Sequence, residues 1–308
     1  MKADIFIIGG AGHIGLPLGL LFADKGKKVI LYDKNKKNIK KINNLEMPFM
    51  EKGGEKLLKK NRKNIFATTN KKFASKAKII IICIGTPVKN SKPDLAFFFK
   101  LFREIKKELN PNKLLIIRSS IYPGTCIKVQ NLLGSKFKNI SYCPERVVQG
   151  KSISELPKLP QIISGVSKNS INQSKQLFKL ICKKLIVTSI LEAELIKLFS
   201  NANRYVNFSI ANQLYMICKE NNLNFNKVRN IMRDGYERNL NLPTAGFTAG
   251  PCLLKDTMQL SSFYKNKFSL GYTAMQINEN IPKFVINNLK KKYNLKKKTI
   301  GILGLTFK

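Results

Sequence analysis

Residues 4–15, DIFIIGGAGHIG, constrain the fold of this chain more than any other stretch. An unbroken β-branched run leads into Gly10-Ala11-Gly12-His13-Ile14-Gly15, a G-x-G-x-x-G pattern, and then into IGLPLGLLFADKG, which reads as a helix. A strand apolar at successive positions is buried on both faces, as in a parallel sheet covered by helices on each side. The next strand, KVILYD, ends in Asp33, 18 residues after Gly15. That spacing is the signature of a dinucleotide-binding strand–helix–strand unit. In it Gly10 permits the tight turn, Gly12 lets the backbone approach a diphosphate, and Gly15 allows close helix–strand contact. The helix N-terminus supplies N–H groups and partial positive charge. The Asp33 carboxylate accepts ribose hydroxyls and repels a 2′-phosphate, which favours NAD over NADP, and the neighbouring Lys34, Lys36 and Lys37 weaken that preference. His13 and Ile14 lie within the loop. CIGTP (83–87) ends a further strand and puts Gly85, Thr86 and Pro87 where a second wall of the cofactor site is needed.

Apolar runs at 64–69, 77–85, 113–119, 140–144, 161–164 and 184–189 alternate with amphipathic segments such as 94–109 and 170–184. The alternation predicts an α/β fold, with a Rossmann-like doubly wound sheet over residues 1–190. From Leu191 the character changes. LEAELIKLFSNANRYVNFSIANQLYMICKENN contains neither proline nor glycine and predicts one helix roughly 45 Å long. Its apolar positions run most of the way round, as in a buried or dimer-forming helix. An all-helical domain built on it is expected over 191–290, and 291–308 read as a basic linker followed by a fresh strand.

The chain carries 56 basic residues against 18 acidic, a net charge of +38. A nucleic-acid or anionic-membrane surface is one reading of that excess. Yet the lysines are spread along the whole chain, alongside abundant Asn and Ile, as AT-rich codon usage produces. No aromatic residues interleave with a basic stripe, so no specific nucleic-acid role is expected. The same field attracts a polyanionic small substrate. No apolar run approaches the ~20 residues of a membrane helix, and Asp4 and the glycines argue against a signal peptide. Six cysteines without a CxxC pair, and a single histidine, argue against a zinc site or any other metal. A reduced, cytoplasmic protein is expected.

GFTAGPCLLKDT (246–257) sets Cys252 close to Lys255 and Asp256, in a stretch whose glycines and proline predict a turn. His13 sits in the glycine loop, which leaves no histidine to activate a serine or cysteine elsewhere. Lys197 and Asn201 stand at i and i+4 on one helix face, where an ammonium and an amide converge on one oxyanion. Alternatively, Lys197 pairs with Glu194 at i−3, a solvated contact of little energetic value. A thiol is only a few per cent thiolate at neutral pH, so a nucleophilic Cys252 needs nearby positive charge, for which Lys197 and Lys255 are candidates. Otherwise Cys252 is a small buried hydrophobe, as expected of Cys83, Cys182 and Cys218.

GGAGHIGLPLG, ICIGTPV, RSSIYPGT, CPERVVQGKSISEL, EAELIKLFSNANRYVNFSIANQL and GFTAGPCLLKD occur in an order and spacing that resemble the nucleotide-sugar 6-dehydrogenases. That family includes the UDP-glucose, GDP-mannose and UDP-N-acetylmannosamine dehydrogenases. The resemblance implies four-electron oxidation of a primary alcohol to a carboxylate with two NAD, through a covalent adduct on Cys252. Lys197 and Asn201 then stabilise the oxyanion, Glu145 is the general base, and Asp256 and Ser120 hold the hydrolytic water. Ser120 replaces the family's usual threonine, and Gln149 stands where some UDP-glucose enzymes carry a second glutamate. Arg146 resembles the branch acting on N-acetylmannosamine-type sugars. Arg238 resembles an arginine that reaches substrate across a dimer interface, and Lys255 adds positive charge for the substrate. The resemblance also implies a homodimer through the long helix. ILGLTFK at the end resembles the opening of a third domain that grips the nucleotide. On that reading the chain is a fragment, a split-gene product completed by a separate chain, or a non-catalytic NAD-binding subunit. A two-electron β-hydroxyacid dehydrogenase, using a helical Lys-xxx-Asn pair alone, is the remaining alternative. Cys252 and Glu145 argue against it, because a single oxidation needs neither.

Overall fold

The apolar run at the N-terminus forms β1 (Ala3–Ile8), an interior strand of an eight-stranded sheet. A computed structural model describes residues 2–86, 88–89, 92–248 and 251–303. The other strands of this sheet are β2 (Val29–Tyr32), β3 (Ile65–Thr68), β4 (Ala77–Ile82), β7 (Leu114–Ile117), β8 (Ile140–Tyr142), β9 (Gln161–Gly165) and β10 (Leu185–Val187), while β5 (Val88–Lys89) and β6 (Lys92–Pro93) form a separate two-stranded sheet. The helices are α1 (Gly15–Asp24), α2 (Lys36–Asn43), α3 (Gly54–Lys60), α4 (Ala96–Ile105), α5 (Thr125–Leu133), α6 (Ser152–Glu155), α7 (Lys168–Lys179), α8 (Ile190–Glu220), α9 (Phe225–Arg233), α10 (Pro251–Phe263) and α11 (Ser269–Lys292).

Two compact units divide the chain: Met1–Pro87 with Pro93–Lys197, and Val88–Lys92 with Leu198–Lys308. In the first unit the sheet order is β10-β9-β8-β7-β4-β1-β2-β3. The pairings are parallel except between β8 and β9, which run antiparallel. The Rossmann-like reading therefore holds, with one reversed strand pairing that the apolar runs did not foretell. Alternation along β1 shows why its sequence is uniformly apolar. Ile5 and Ile7 pack on one face with Leu16, Leu20 and Phe178, while Phe6 and Ile8 pack on the other with Phe98, Phe102 and Val129.

The start of α8 is encoded locally. Ser189 Oγ accepts from the Glu192 amide at 3.3 Å while Glu192 Oε2 accepts from the Ser189 amide at 2.9 Å, a reciprocal cap that satisfies two donors at once. The helix runs unbroken for 31 residues. In the second unit Ala211, Cys218 and Phe225 form a small core with Leu214, Tyr215 and Val228. Buried amides add to it. Asn212 exchanges two hydrogen bonds with the Gly246 backbone, at 2.8 and 3.1 Å, and donates to Asn278 Oδ1 at 2.9 Å.

Two expectations change here. The stretch around Cys252 is not a turn, because α10 begins at Pro251; proline is well placed at a first helical position, whose N–H is unpaired anyway. The strand expected after the basic linker is absent from the described residues up to Leu303, and residues 304–308 lie outside the description. No helix among the described residues is long and apolar enough to cross a membrane.

Candidate active site

The glycine loop follows β1 at the point where strand order reverses between β1 and β4, the usual ligand crevice of such sheets. Gly9, rather than Gly10, makes the turn. Its φ is +80°, and a methyl group there would stand 2.5 Å from the Cys83 carbonyl oxygen. Gly10 instead approaches β2, where a methyl would meet Leu31 Cα at 2.8 Å. A methyl on Gly15 would collide with the Gly9 carbonyl, so close helix–strand contact fixes that position. Gly12 differs: a methyl would meet only the Gly9 oxygen, at 3.3 Å. Internal packing alone does not demand glycine there, whereas a diphosphate lying against the backbone does.

Asp33 is held against this loop. Its Oδ2 accepts from the Ala11 amide at 3.2 Å and its Oδ1 from the Asn35 amide at 3.0 Å. No side chain caps α1 at Ile14 and no acidic residue occupies its first turn, so the positive end of the helix is not neutralised and favours an anion. The His13 ring packs on Phe49, with centroids 4.0 Å apart. The Lys34 ammonium lies 4.5 Å above the Phe97 ring. Beyond β4, Gly85 is exposed, and the buried Thr86 donates its hydroxyl to the Ser120 carbonyl. Pro87 lies outside the described residues. The turn, the helix N-terminus and the carboxylate together fit a dinucleotide.

The first unit holds a second cluster, at the ends of β7 and β8. Arg118 is 1% exposed, donates to the Glu145 carboxylate and to Gln161 Oε1 at 2.9 Å, and lies 4.9 Å from the Phe178 ring centroid. Glu145 Oε1 also accepts from the amides of Arg146 and Val147, at 2.7 and 3.1 Å. Both Glu145 oxygens are thus hydrogen-bonded, a constraint the sequence did not disclose. The Arg146 guanidinium donates to the Pro160 carbonyl, and Gln149 is half-buried. Glu194 does not form the solvated surface pair that its spacing to Lys197 offers. It is fully buried and accepts from the Gly124 and Cys126 amides at 2.6 and 3.1 Å, capping α5.

In the second unit Cys252 occupies the first turn of α10 and is exposed. Cys126, Cys143, Cys182 and Cys218 are buried, and burial pushes the thiols of Cys143 and Cys182 up to about 12 and about 11. Asp256 is completely buried one turn after Cys252. Its Oδ2 accepts from Asn201 Nδ2 at 2.6 Å, and its Oδ1 lies 3.4 Å from Lys255 Nζ. Lys197 lies one turn before Asn201 on α8. Arg238 follows Tyr236, donating to its hydroxyl at 3.0 Å with the guanidinium 5.3 Å from the ring centroid. The sequence signal for Arg118 is a charge set directly after the four apolar residues Leu114–Ile117.

The profile of the UDP-glucose/GDP-mannose dehydrogenase family, NAD binding domain, matches residues 3–182, and that of the family's central domain matches residues 191–280. The chain is 31% identical to the UDP-N-acetyl-D-mannosamine dehydrogenase of Pyrococcus horikoshii, over 97% of this chain and 75% of the relative. It is 33% identical to the enzyme of that name from Methanocaldococcus jannaschii, over 97% of this chain and 71% of the relative. A solved structure of the UDP-N-acetyl-mannosamine dehydrogenase from Pyrococcus horikoshii superposes with a TM-score of 0.87 at 29% identity, covering 94% of this chain and 72% of that one. With both profiles matched along most of its length, the chain belongs to the UDP-glucose/GDP-mannose dehydrogenase family and is an NAD-dependent dehydrogenase.

Proposed function

We propose that the chain oxidises the C6 primary alcohol of a nucleotide sugar, of the UDP-N-acetylmannosamine type, to the carboxylate. The observation that carries this reading is the exposed Cys252 in the first turn of α10, one turn before an Asp256 already oriented by Asn201. Two-electron oxidation of an alcohol has no use for a nucleophilic thiol, whereas in four-electron oxidation to an acid a thiol holds the aldehyde as an adduct for the second hydride loss. Relatives named for UDP-N-acetyl-D-mannosamine, and an arginine directly after Glu145, support the choice of sugar.

NAD, held by the glycine loop and Asp33, would supply the hydride acceptor for each of two oxidations at C6. In the first, the alcohol loses a proton and becomes the aldehyde. The Cys252 sulfur then bonds to C6, giving a thiohemiacetal whose oxyanion is stabilised by Lys197 and Asn201. Loss of the second hydride leaves a thioester. Water attacks it with Asp256, Ser120 and Glu145 ordering the water and taking up its proton; the C–S bond breaks, the thiolate leaves and the carboxylate is released. Glu145, fixed by Arg118 and two amides, serves in this scheme as an anchored carboxylate. Arg146, Arg238 and Lys255 supply positive charge for the substrate. The thiol chemistry suits the cytoplasm, where cysteines stay reduced.

Phe199, Ile210 and Ile217 are each about half exposed on α8, at intervals of 11 and 7 that keep them on one face. A second copy of this chain covers that stripe on our reading, and Ile210→Asp should shift sedimentation from dimer to monomer.

With NAD and UDP-N-acetylmannosamine, each sugar should yield two NADH and one uronate. One NADH with free aldehyde or ketone would sink the four-electron reading. Cys252→Ser should abolish acid formation, and continued acid formation would sink the covalent step.

A further inference from the structure

One polar side chain on α10 is used neither by the core nor by the chemistry proposed above. Gln259 is completely buried, and neither its Nε2 nor its Oε1 has a hydrogen-bond partner among the described residues. Native interiors seldom leave an amide in that condition, because both its donor and its acceptor have given up water. Three residues earlier stands Asp256, also completely buried. Asn201 donates to its Oδ2, but among the described residues its Oδ1 receives no hydrogen bond, and the Lys255 ammonium lies 3.4 Å away.

Residues at i and i+3 of a helix lie on one face, with Cβ atoms about 5–6 Å apart. Gln259 and Asp256 therefore share one face of α10, and one water between the orphaned amide and the orphaned carboxylate oxygen satisfies a buried donor and a buried acceptor together. The neighbouring hydroxyl does not compete, since Thr257 Oγ1 donates to the Leu253 carbonyl at 2.8 Å.

We propose that Gln259 is a positioning residue whose amide holds one buried water, and that this water donates to Asp256 Oδ1. Asp256 is then fixed from two sides, by Asn201 on Oδ2 and by the bridged water on Oδ1. Gln259 itself touches neither substrate nor cofactor. Its catalytic consequence rests on the function proposed above; the water bridge does not.

The test separates the two. Methionine matches glutamine in length and removes both amide atoms. If Gln259 were an orphan tolerated by the core, Gln259→Met would remove an unpaired polar group and raise Tm. The bridge requires the opposite: Gln259→Met lowers Tm, and Gln259→Met with Asp256→Asn costs less than the two single losses combined. A rise in Tm, or strictly additive losses, overturns the proposal. Should the variants not fold, a high-resolution crystal structure of the wild-type chain decides it. A water within hydrogen-bond distance of both Gln259 Nε2 and Asp256 Oδ1 supports the bridge, and its absence there overturns it. In turnover, Gln259→Met should lower kcat about tenfold through slower thioester hydrolysis, leave KM for NAD unchanged, and show acylated Cys252 by intact mass. Unchanged kcat in a folded, active variant removes the positioning role. If the wild-type chain reduces no NAD with any nucleotide sugar, the proposed function fails while the Tm comparison still decides the bridge.

Discussion

Asn201 donates from Nδ2 to Asp256 Oδ2 at 2.6 Å, a buried bond that ties α8 to α10 across 55 residues of sequence. Hydrogen bonds to a charged group are worth about twice a neutral one, and removing one partner leaves the other desolvated. Asn201→Ala should therefore destabilise the helical unit by about 2–3 kcal/mol, measured by denaturant unfolding. Replacing both residues, as Asn201→Leu with Asp256→Leu, should cost less than the single Asn201 change, because no buried carboxylate then remains.

Arg118 and Glu145 form a comparable pair in the nucleotide-binding unit, with the arginine wholly out of water. Breaking a buried ion pair from one side costs about 3–5 kcal/mol, since an uncompensated charge is left behind. Arg118→Met should fall in that range by urea unfolding. Arg118→Lys should recover only part of it, because an ammonium cannot reach Glu145 and Gln161 with the planar fork that Arg118 uses.

Glu194 gives a pH signature. Burial pushes its carboxyl above the ordinary carboxylate range, although the Gly124 and Cys126 amides pull it down. The native state thus holds this proton more tightly than the unfolded chain does. Its contribution to stability is fully present below the unfolded value and is lost as pH rises through the folded one. Glu194→Gln does not titrate, so the stability of wild type relative to this variant should decline as pH rises above 4.5. Thermal unfolding across a pH series checks the sign.

What could be read in advance follows from how local each signal is. β1 and β2 were legible because strands buried on both faces carry unbroken apolar runs, and the glycine pattern with Asp33 is a local signature. Gly9 was missed because the G-x-G-x-x-G count begins at Gly10, one residue after the turn itself. The Gly and Pro before α10 suggest a break in the chain, yet Pro251 begins the helix, because a proline's missing N–H costs nothing at a first helical position. Glu194 looked like a surface partner of Lys197 because its spacing says nothing about burial. Its true partners, the Gly124 and Cys126 amides, lie about seventy residues away in sequence. Arg118 reaching Glu145, and Asn201 reaching Asp256, are likewise tertiary contacts that no period along the chain records.

The glycines of the loop separate folding from cofactor binding. A methyl on Gly15 would collide with the Gly9 carbonyl, between two backbone segments with no flexible side chain to yield. Gly15→Ala should therefore destabilise the whole nucleotide-binding unit, by about 1–3 kcal/mol as overpacked sites do. A methyl on Gly12 meets one carbonyl oxygen at 3.3 Å, a contact relieved by a shift of a few tenths of an ångström. Gly12→Ala should keep a near-wild-type Tm yet bind NAD at least tenfold more weakly, because the methyl occupies the space the diphosphate needs. Calorimetric titration with NAD, beside thermal unfolding of each variant, checks both halves. Equal loss of stability in the two variants, or unchanged NAD affinity in Gly12→Ala, would show that the open side of Gly12 is not where the diphosphate lies.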